Sequence, residues 1–204
     1  MPTAFSTAER NRITSALRAT ALRLFGSQGL RRTSLDDLVR PAGIAKSTFY
    51  LFFDSKEALY LDLMLGRTAE VRRRVVDEAL HRGTDTRDAL RRFLTATAEV
   101  LRSDPLYRRL MTHPEEMEAV SARVSPAALA RVGEDSPSAA LERFLTQRRA
   151  VGDLPAVDPQ VLTGVLRAVL VLPAHADELG PAHFPQILDL VIDLVATGLT
   201  RTEA

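Results

Sequence analysis

Signals for the start of a helix recur along the whole chain of 204 residues. Three of them pair a capping residue with an acid three positions later, so that their side chains take up free backbone N–H groups. These pairs are Ser6 with Glu9, Thr33 with Asp36, and Asp54 with Glu57. Six further signals place proline at the first helical position, where no N–H is needed. They lie at Asp104-Pro105, His113-Pro114, Ser125-Pro126, Ser136-Pro137, Asp158-Pro159 and Gly180-Pro181.

Apolar residues follow these signals at helical spacing, and no stretch alternates with period two for long enough to form a strand. The sequence therefore predicts an all-α fold of about nine or ten helices. Among them are a long helix over about 55–81 and two apolar helices that close the chain at about 159–177 and 181–201.

The composition fits a chain that buries a core of its own, with 46% hydrophobic and 26% charged residues. No apolar run reaches the roughly 18 residues of a membrane span, and "MPTAFSTAER" lacks the regions of a signal peptide. We therefore expect a cytoplasmic protein with no membrane partner. The chain has no cysteine, which removes disulfides, thiolate zinc sites and cysteine nucleophiles, and we expect neither metal nor cofactor.

Positive charge is concentrated in the first part of the chain. Residues 1–60 carry nine cationic against five anionic residues, a net charge of +4, whereas the remainder carries 18 against 21, a net charge of −3. A basic N-terminal part on a mildly acidic body is typical of a nucleic-acid-binding module joined to a body with another role.

The segment "AGIAKSTFYLFFDSK", residues 42–56, fits that module. Two short helices, predicted at about 34–42 and 45–51, are joined by a tight turn at Gly43, which is the helix-turn-helix arrangement. The second helix of this motif lies in the DNA major groove, so its outward face has to be short, small and polar. Lys46, Ser47 and Thr48 meet this requirement, and Phe49 can pack inward.

The same residues offer suitable chemistry. Lys46 can donate to guanine acceptors, Thr48 can contact a thymine methyl or a phosphate, and the phenol of Tyr50 can reach a phosphate oxygen. Lys56 lies in the first turn of the next predicted helix, where backbone N–H groups already favour an anion.

The run "ALRLFGSQGLRRTSLDDLVRPAGIAKSTFYLFFDSKEALYLDLM" resembles the TetR family of bacterial transcriptional regulators. The resemblance implies a helix-turn-helix DNA-binding domain over residues 1–54 and a helical effector-binding and dimerisation domain over 55–204. By position it assigns DNA contacts to Thr33, Ser34, Lys46, Ser47, Thr48, Tyr50, Leu51 and Lys56. Several positions depart from the family pattern. Ala45 replaces a common capping serine, at a cost of about 1 kcal/mol, Leu51 replaces a common His or Trp, and Pro41, Asp36 and Asp37 are further departures in or near the first helix of the motif.

The last predicted helix carries an apolar stripe of alternating three and four spacing, which could be ordinary core or an interface. The resemblance implies that the two closing helices pair with those of a second subunit. A two-fold dimer would then read a palindromic operator. The interface residues expected are Leu166, Leu170, Ile187, Leu190, Val191, Leu194, Val195 and Gly198.

The resemblance further implies a pocket for a small-molecule effector of unknown identity. The expected lining is mostly apolar with a few polar groups: Phe93, Leu94, Leu101, Tyr107, Leu110, Met111, His113, Met117, Phe144, Leu166 and His175. For most of these residues plain core is the competing interpretation. We expect a repressor that its effector releases, while an activator or a corepressor-dependent regulator stays open.

Two other classes of protein are compatible with an all-α chain. A di-iron enzyme needs two Glu-x-x-His motifs and two further Glu, and the chain offers only Glu78 with His81. We therefore expect no enzyme and no catalytic residue. An interaction protein that has lost DNA binding is the other alternative, and Lys46, Tyr50 and Lys56 argue against it.

Overall fold

The computed structural model describes residues 5–134 and 136–200, and within these residues it is helical without strands. The all-α prediction is therefore confirmed. The helices are α1 Thr7–Gln28, α2 Leu35–Val39, α3 Lys46–Phe49, α4 Lys56–Arg72, α5 Thr86–Ser103, α6 Pro105–Thr112, α7 Pro114–Ser121, α8 Pro126–Glu134, α9 Pro137–Ala150, α10 Pro159–Val171 and α11 Phe184–Thr200. No helix in this part of the chain is both long and apolar enough to cross a membrane.

The capping residues were predicted correctly at α1 and one position too early at α2 and α4. Ser6 accepts a hydrogen bond from the N–H of Glu9 at 3.2 Å. At α2 the cap is Ser34, which forms a reciprocal box with Asp37. At α4 the hydroxyl of Ser55 accepts from the N–H of Ala58 at 3.0 Å. In both wrong cases two adjacent residues are able to cap, and the second one does.

Proline marks the start of five of the six helices for which it was predicted, α6 to α10. Pro181 is the exception, since it lies in a turn and α11 begins at Phe184. The helix predicted over 159–177 ends as α10 at Val171, because Pro173 cannot continue the backbone ladder. The helix predicted over 55–81 ends at Arg72 and passes into a π-helical turn, Arg73–Asp77. The predicted end at Arg201 lies outside the described residues.

The chain forms two compact units. Unit 1 contains the chain through Arg67 together with Asp104–Val132, and unit 2 contains Thr68–Ser103 together with the chain from Gly133 onward. The assignment of DNA binding to residues 1–54 and of effector binding to 55–204 concerns function and stays a prediction.

One hydrophobic core holds unit 1 together. Phe25 of α1 and Tyr60 of α4 are fully buried with their ring centroids 5.2 Å apart. Leu106 of α6 and Val120 of α7 are buried in the same cluster as α1 to α4. Helices α1 and α6 pack closely at Gly26. A Cβ added to this glycine would lie only 3.2 Å from the Cβ of Pro105. Segment 104–132 is thus an integral part of this unit.

Unit 2 is built around α5, which packs against α10 and α11. Leu90, Leu94 and Leu101 of α5 are buried, as are Leu162 and Leu166 of α10. Arg91 of α5 also forms an exposed ion pair with Asp193 of α11 at 2.7 Å.

Candidate nucleic-acid interface

Helix α3 presents a polar face from a buried anchor. Phe49 has no exposed surface, whereas Lys46 and Ser47 are exposed and Thr48 is half-buried. Ala45 supplies no side-chain cap, as its identity predicted. The turn before α3 contains Gly43 with φ of 69°, in the left-handed region that favours glycine. The buried phenylalanine fixes the helix, and its small polar residues face solvent.

Two larger side chains at the end of α3 are also exposed. Tyr50 is 53% and Leu51 is 59% exposed. Arg10 of α1 donates to the backbone oxygen of Leu51 at 3.2 Å, and its guanidinium lies over the ring of Phe52. Arg10 therefore holds the end of α3 in place.

The ammonium group of Lys46 forms an ion pair with Asp36 of α2 at 2.8 Å. Both side chains are more than half exposed, with 56% and 54% of their surface accessible. An exposed pair of this kind contributes little to stability and is readily exchanged for another partner. Lys46 is therefore available to an incoming acceptor.

The environments of Lys56 and Thr33 were not foreseen. Lys56 Nζ donates to the backbone oxygens of Leu30 and Thr33, at 2.9 and 3.0 Å. Two of its three N–H groups thus hold the loop before α2, and one remains for a phosphate. Thr33 is 1% exposed and its hydroxyl donates to the oxygen of Gly29 at 2.7 Å. In this geometry the Thr33 side chain has no route to a phosphate.

Ser34 is exposed at the start of α2, but its hydroxyl is already engaged. It donates to Asp37 at 2.6 Å and accepts from the Asp37 N–H at 3.2 Å. The hydrogen bond from Ser34 lowers the pKa of the Asp37 carboxyl below its ordinary value. The ionised carboxyl is the form that accepts this hydrogen bond, and it fixes the Ser34 side chain.

An open groove of about 490 Å³ brings most of these residues together. It is lined by Thr33, Ser34, Leu35, Lys46, Tyr50, Asp54, Ser55, Lys56, Glu57 and Arg123. Five of the predicted DNA-contacting residues therefore share one surface feature, while Ser47, Thr48 and Leu51 are not among its lining. Arg123 also lines the groove, which was not predicted, because it follows α7 and lies far along the chain from the helix-turn-helix segment.

The predicted effector-pocket residues are divided between the two units. Phe93, Leu94, Leu101, Phe144 and Leu166 are buried in unit 2. Tyr107 is buried in unit 1, where desolvation and the nearby Asp104 raise its pKa to about 12. Leu110 and Met117 are half-buried against the core of unit 1, and Met111 is exposed.

The two predicted histidines have polar neighbours. His113 Nδ1 lies 2.8 Å from the hydroxyl of Thr112, and His175 Nδ1 lies 3.2 Å from an exposed carboxylate of Glu178. His113 borders a polar cleft with Arg109 and Glu116, whereas His175 is exposed in unit 2. The effector pocket stays a prediction.

The predicted interface residues fall into three groups by exposure. Leu166 is fully buried within its own chain, so it belongs to the core of unit 2 in this structure. Leu190 and Leu194 are 61% and 63% exposed on α11. Gly198 is exposed, Ile187, Val191 and Val195 are half-buried on α11, and Leu170 is half-buried on α10.

Helix α10 adds an apolar surface that was not predicted. Val161 and Val165 are 56% and 38% exposed. They lie four residues apart on one face of α10, a spacing visible in the sequence. Helices α10 and α11 are in contact. Both of these closing helices of unit 2 expose large apolar side chains.

The Glu78-x-x-His81 motif has ordinary neighbours. Glu78 forms an ion pair with Arg73, and His81 lies 3.8 Å from Asp77. Among the residues that the structure describes, no three His, Cys, Asp or Glu side chains are grouped as metal ligands.

Residues 17–63 match the family model described as "Bacterial regulatory proteins, tetR family". The chain is 32% identical over 76 residues to the HTH-type transcriptional regulator YdgC of Bacillus subtilis, covering 37% of this chain and 39% of that protein. It is 47% identical over 49 residues to the HTH-type transcriptional regulator EthR of Mycobacterium tuberculosis, covering 24% and 23%. The matches thus span well under half of these relatives, which are named as regulators and not as enzymes.

Solved structures resemble the chain over nearly its whole length. A TetR family transcription regulator from Marinobacter aquaeolei VT8 has a TM-score of 0.73 at 21% identity, covering 97% of this chain and 100% of that one. The transcriptional regulator FadR from Bacillus subtilis, in complex with stearoyl-CoA, has a TM-score of 0.66 at 14% identity, covering 91% and 98%. At these identities the likeness shows the fold.

Proposed function

We propose that this chain, which belongs to the TetR family of bacterial transcriptional regulators, is a repressor that binds a palindromic operator as a homodimer and is released by a small-molecule effector. The observation that carries the proposal is the exposed polar face of α3 on a buried anchor, within the segment that matches the family model. DNA binding is assigned to the helix-turn-helix in residues 1–54, and the other two roles to residues 55–204.

Base contacts are assigned to Lys46, Ser47 and Thr48 of α3. Lys46 exchanges its exposed pairing with Asp36 for a guanine acceptor, so binding requires no buried group to be uncovered. Tyr50 and the remaining N–H of Lys56 are assigned to phosphate oxygens, because both line the groove beside α3. These phosphate contacts set the register of α3 in the major groove.

Dimerisation is assigned to the exposed apolar faces of α10 and α11. Val161, Val165, Leu190 and Leu194 expose apolar surface that association would remove from water, at roughly 25 cal/mol per Å². Gly198 lies on the same helix as the two leucines. A Cβ added to it would meet no atom within 4 Å, so this part of α11 is open to a partner. A two-fold dimer matches a palindromic operator, whose two half-sites lie about one DNA turn apart.

Effector release is proposed from family membership, and the chemical class of the effector stays open. The FadR structure with stearoyl-CoA is an example of a small-molecule ligand on this fold. An effector lowers DNA affinity only by as much as it binds better to the form that is not competent for DNA.

Fluorescence anisotropy tests the DNA-binding part of the proposal. The probe is labelled duplex from beside the protein's own gene, compared with a random duplex over a range of salt concentrations. Lys46→Ala and Tyr50→Ala are measured with Arg108→Gln, an exposed α6 residue that lines neither the groove nor the cleft. We expect each test variant to lose roughly five- to a hundredfold in affinity, and Arg108→Gln to match the wild type. Equal binding by all four proteins would refute the assignment of these contacts to α3.

A further inference from the structure

Arg123 lies just after α7, on backbone anchored to the core of unit 1. Its N–H donates to the oxygen of Val120 at 2.9 Å, and the N–H of Val124 donates to the same oxygen at 3.1 Å. Val120 has no exposed surface and belongs to the core cluster that also contains α1 to α4. The backbone that carries Arg123 is therefore fixed to the helix-turn-helix, although it lies 60 positions beyond the family match at residue 63.

The side chain of Arg123 is exposed and lines the same groove as Ser34, Lys46 and Tyr50. This groove borders the face of α3 that the proposed function places against DNA. A cation at this position therefore lies beside the path of the phosphate backbone.

Arg123 differs from the two lysines of the groove in having no partner for its guanidinium among the described residues. Lys46 is paired with Asp36, and Lys56 donates to two backbone oxygens. Across the described residues, Arg123 forms no side-chain hydrogen bond and no ion pair. The groove also contains Asp54 and Glu57, yet neither carboxylate binds the guanidinium. Within the part of the chain that the structure describes, its five N–H donors are thus without an acceptor.

We propose that Arg123 is a DNA-backbone contact, donating two parallel N–H groups to one phosphate at the edge of the groove. The proposal rests on the proposed function and extends the DNA-binding surface to a segment outside the helix-turn-helix. A planar guanidinium binds phosphate in this bidentate way, which an ammonium group does not. Because the partner is a phosphate, the contact adds affinity without selecting a base sequence.

The test measures the salt dependence of DNA binding for Arg123→Gln, Arg123→Lys and the control Arg108→Gln. The probes are a random duplex and duplex from beside the protein's own gene. Each phosphate contact contributes about 0.9 to the slope of log affinity against log salt. We expect Arg123→Gln to lower that slope by roughly one per subunit and to weaken binding to both duplexes by about three- to tenfold at low salt. Arg123→Lys should retain the slope with a smaller loss, and Arg108→Gln should behave as the wild type.

The outcomes separate the two proposals. A wild type that binds neither duplex at low salt removes the proposed function and this inference with it. A wild type that binds, with a slope unchanged in Arg123→Gln, removes the inference alone. Thermal unfolding of each variant is measured in parallel. A lower melting temperature for Arg123→Gln that Arg123→Lys does not restore, together with the lost affinity, would assign Arg123 a structural role instead.

Discussion

The N–H of Leu30 donates to Glu116 Oε1 at 3.2 Å, across a separation of 86 positions in the chain. The same carboxylate accepts from Arg109 Nε at 2.7 Å and from the hydroxyl of Tyr60 at 3.1 Å. Glu116 is only 3% exposed, so its charge is stabilised by these three donors in place of water. Helices α6 and α7 are thereby tied to α4 and to the loop between α1 and α2.

Replacing Glu116 with alanine should destabilise the protein by about 2–4 kcal/mol. The change leaves the N–H of Leu30 and the hydroxyl of Tyr60 without a partner and a partly buried Arg109 without its counter-charge. Denaturant unfolding of Glu116→Ala measures the loss. Glu118→Ala, an exposed residue of the same helix, is the control and should stay close to the wild type. Equal stability of the two variants would mean that the carboxylate adds nothing to stability.

Gly29→Ala should be more destabilising than Gly43→Ala, although both glycines have positive φ, of 86° and 69°. Each substitution forces alanine to a positive φ, at about 1–3 kcal/mol, and the ψ of 170° at Gly29 lies in a region that is essentially restricted to glycine. A Cβ on Gly29 would also collide with the side chains of Glu116 and Arg109, whereas a Cβ on Gly43 meets nothing within 4 Å. The difference between the two free energies of unfolding measures this collision together with the stricter backbone conformation at Gly29. A difference near zero would contradict both contributions.

Stability should fall as pH rises from about 10 to 12, in part through Tyr107. Its pKa is raised to about 12 in the folded protein by burial and Asp104, against about 10 in an unfolded chain. The folded state therefore holds its proton more tightly, and the stability that this confers is complete below pH 10 and is lost through pH 12. Tyr107→Phe should weaken this dependence in thermal unfolding at pH 9 and pH 11. An unchanged pH dependence in this variant would contradict the assignment.

Leu190→Glu should convert a dimer into a monomer that keeps its fold. The side chain is 61% exposed in the single chain, so a charge there leaves the core of unit 2 intact. Sedimentation velocity gives the oligomeric state, and circular dichroism gives the helix content. Val151→Glu is the control, because Val151 is 69% exposed but lies outside α10 and α11. A dimer that survives Leu190→Glu would place the interface elsewhere.

Most of the helix starts could be predicted because the interactions that set them are local. A proline or a serine cap acts within three or four residues, so Pro105, Pro114 and Pro137 mark their helices in the sequence. Where two neighbours can cap, the tertiary structure decides. Thr33 is drawn into the core and bonds to Gly29, which leaves the cap to Ser34.

Long-range partners could not be predicted in this way. No local pattern relates Glu116 to Leu30 or places Arg123 beside Tyr50, since these neighbours depend on how α7 packs against the core. The helix-turn-helix residues share a short segment and could therefore be predicted together. The exposed valines of α10 had a visible spacing, but only the structure distinguishes their face from the buried face of Leu162 and Leu166.

The shared core of unit 1 bears on how hybrid regulators are made from this chain. A graft that transfers only residues 1–54 to another body would leave behind Leu106 and Val120, which help to fill the core around Phe25. It would also leave the N–H of Leu30 without its acceptor. Under the proposed function, exchange of operator specificity is therefore better done by replacing the face of α3 in place, or by transferring 104–132 together with the chain through Arg67.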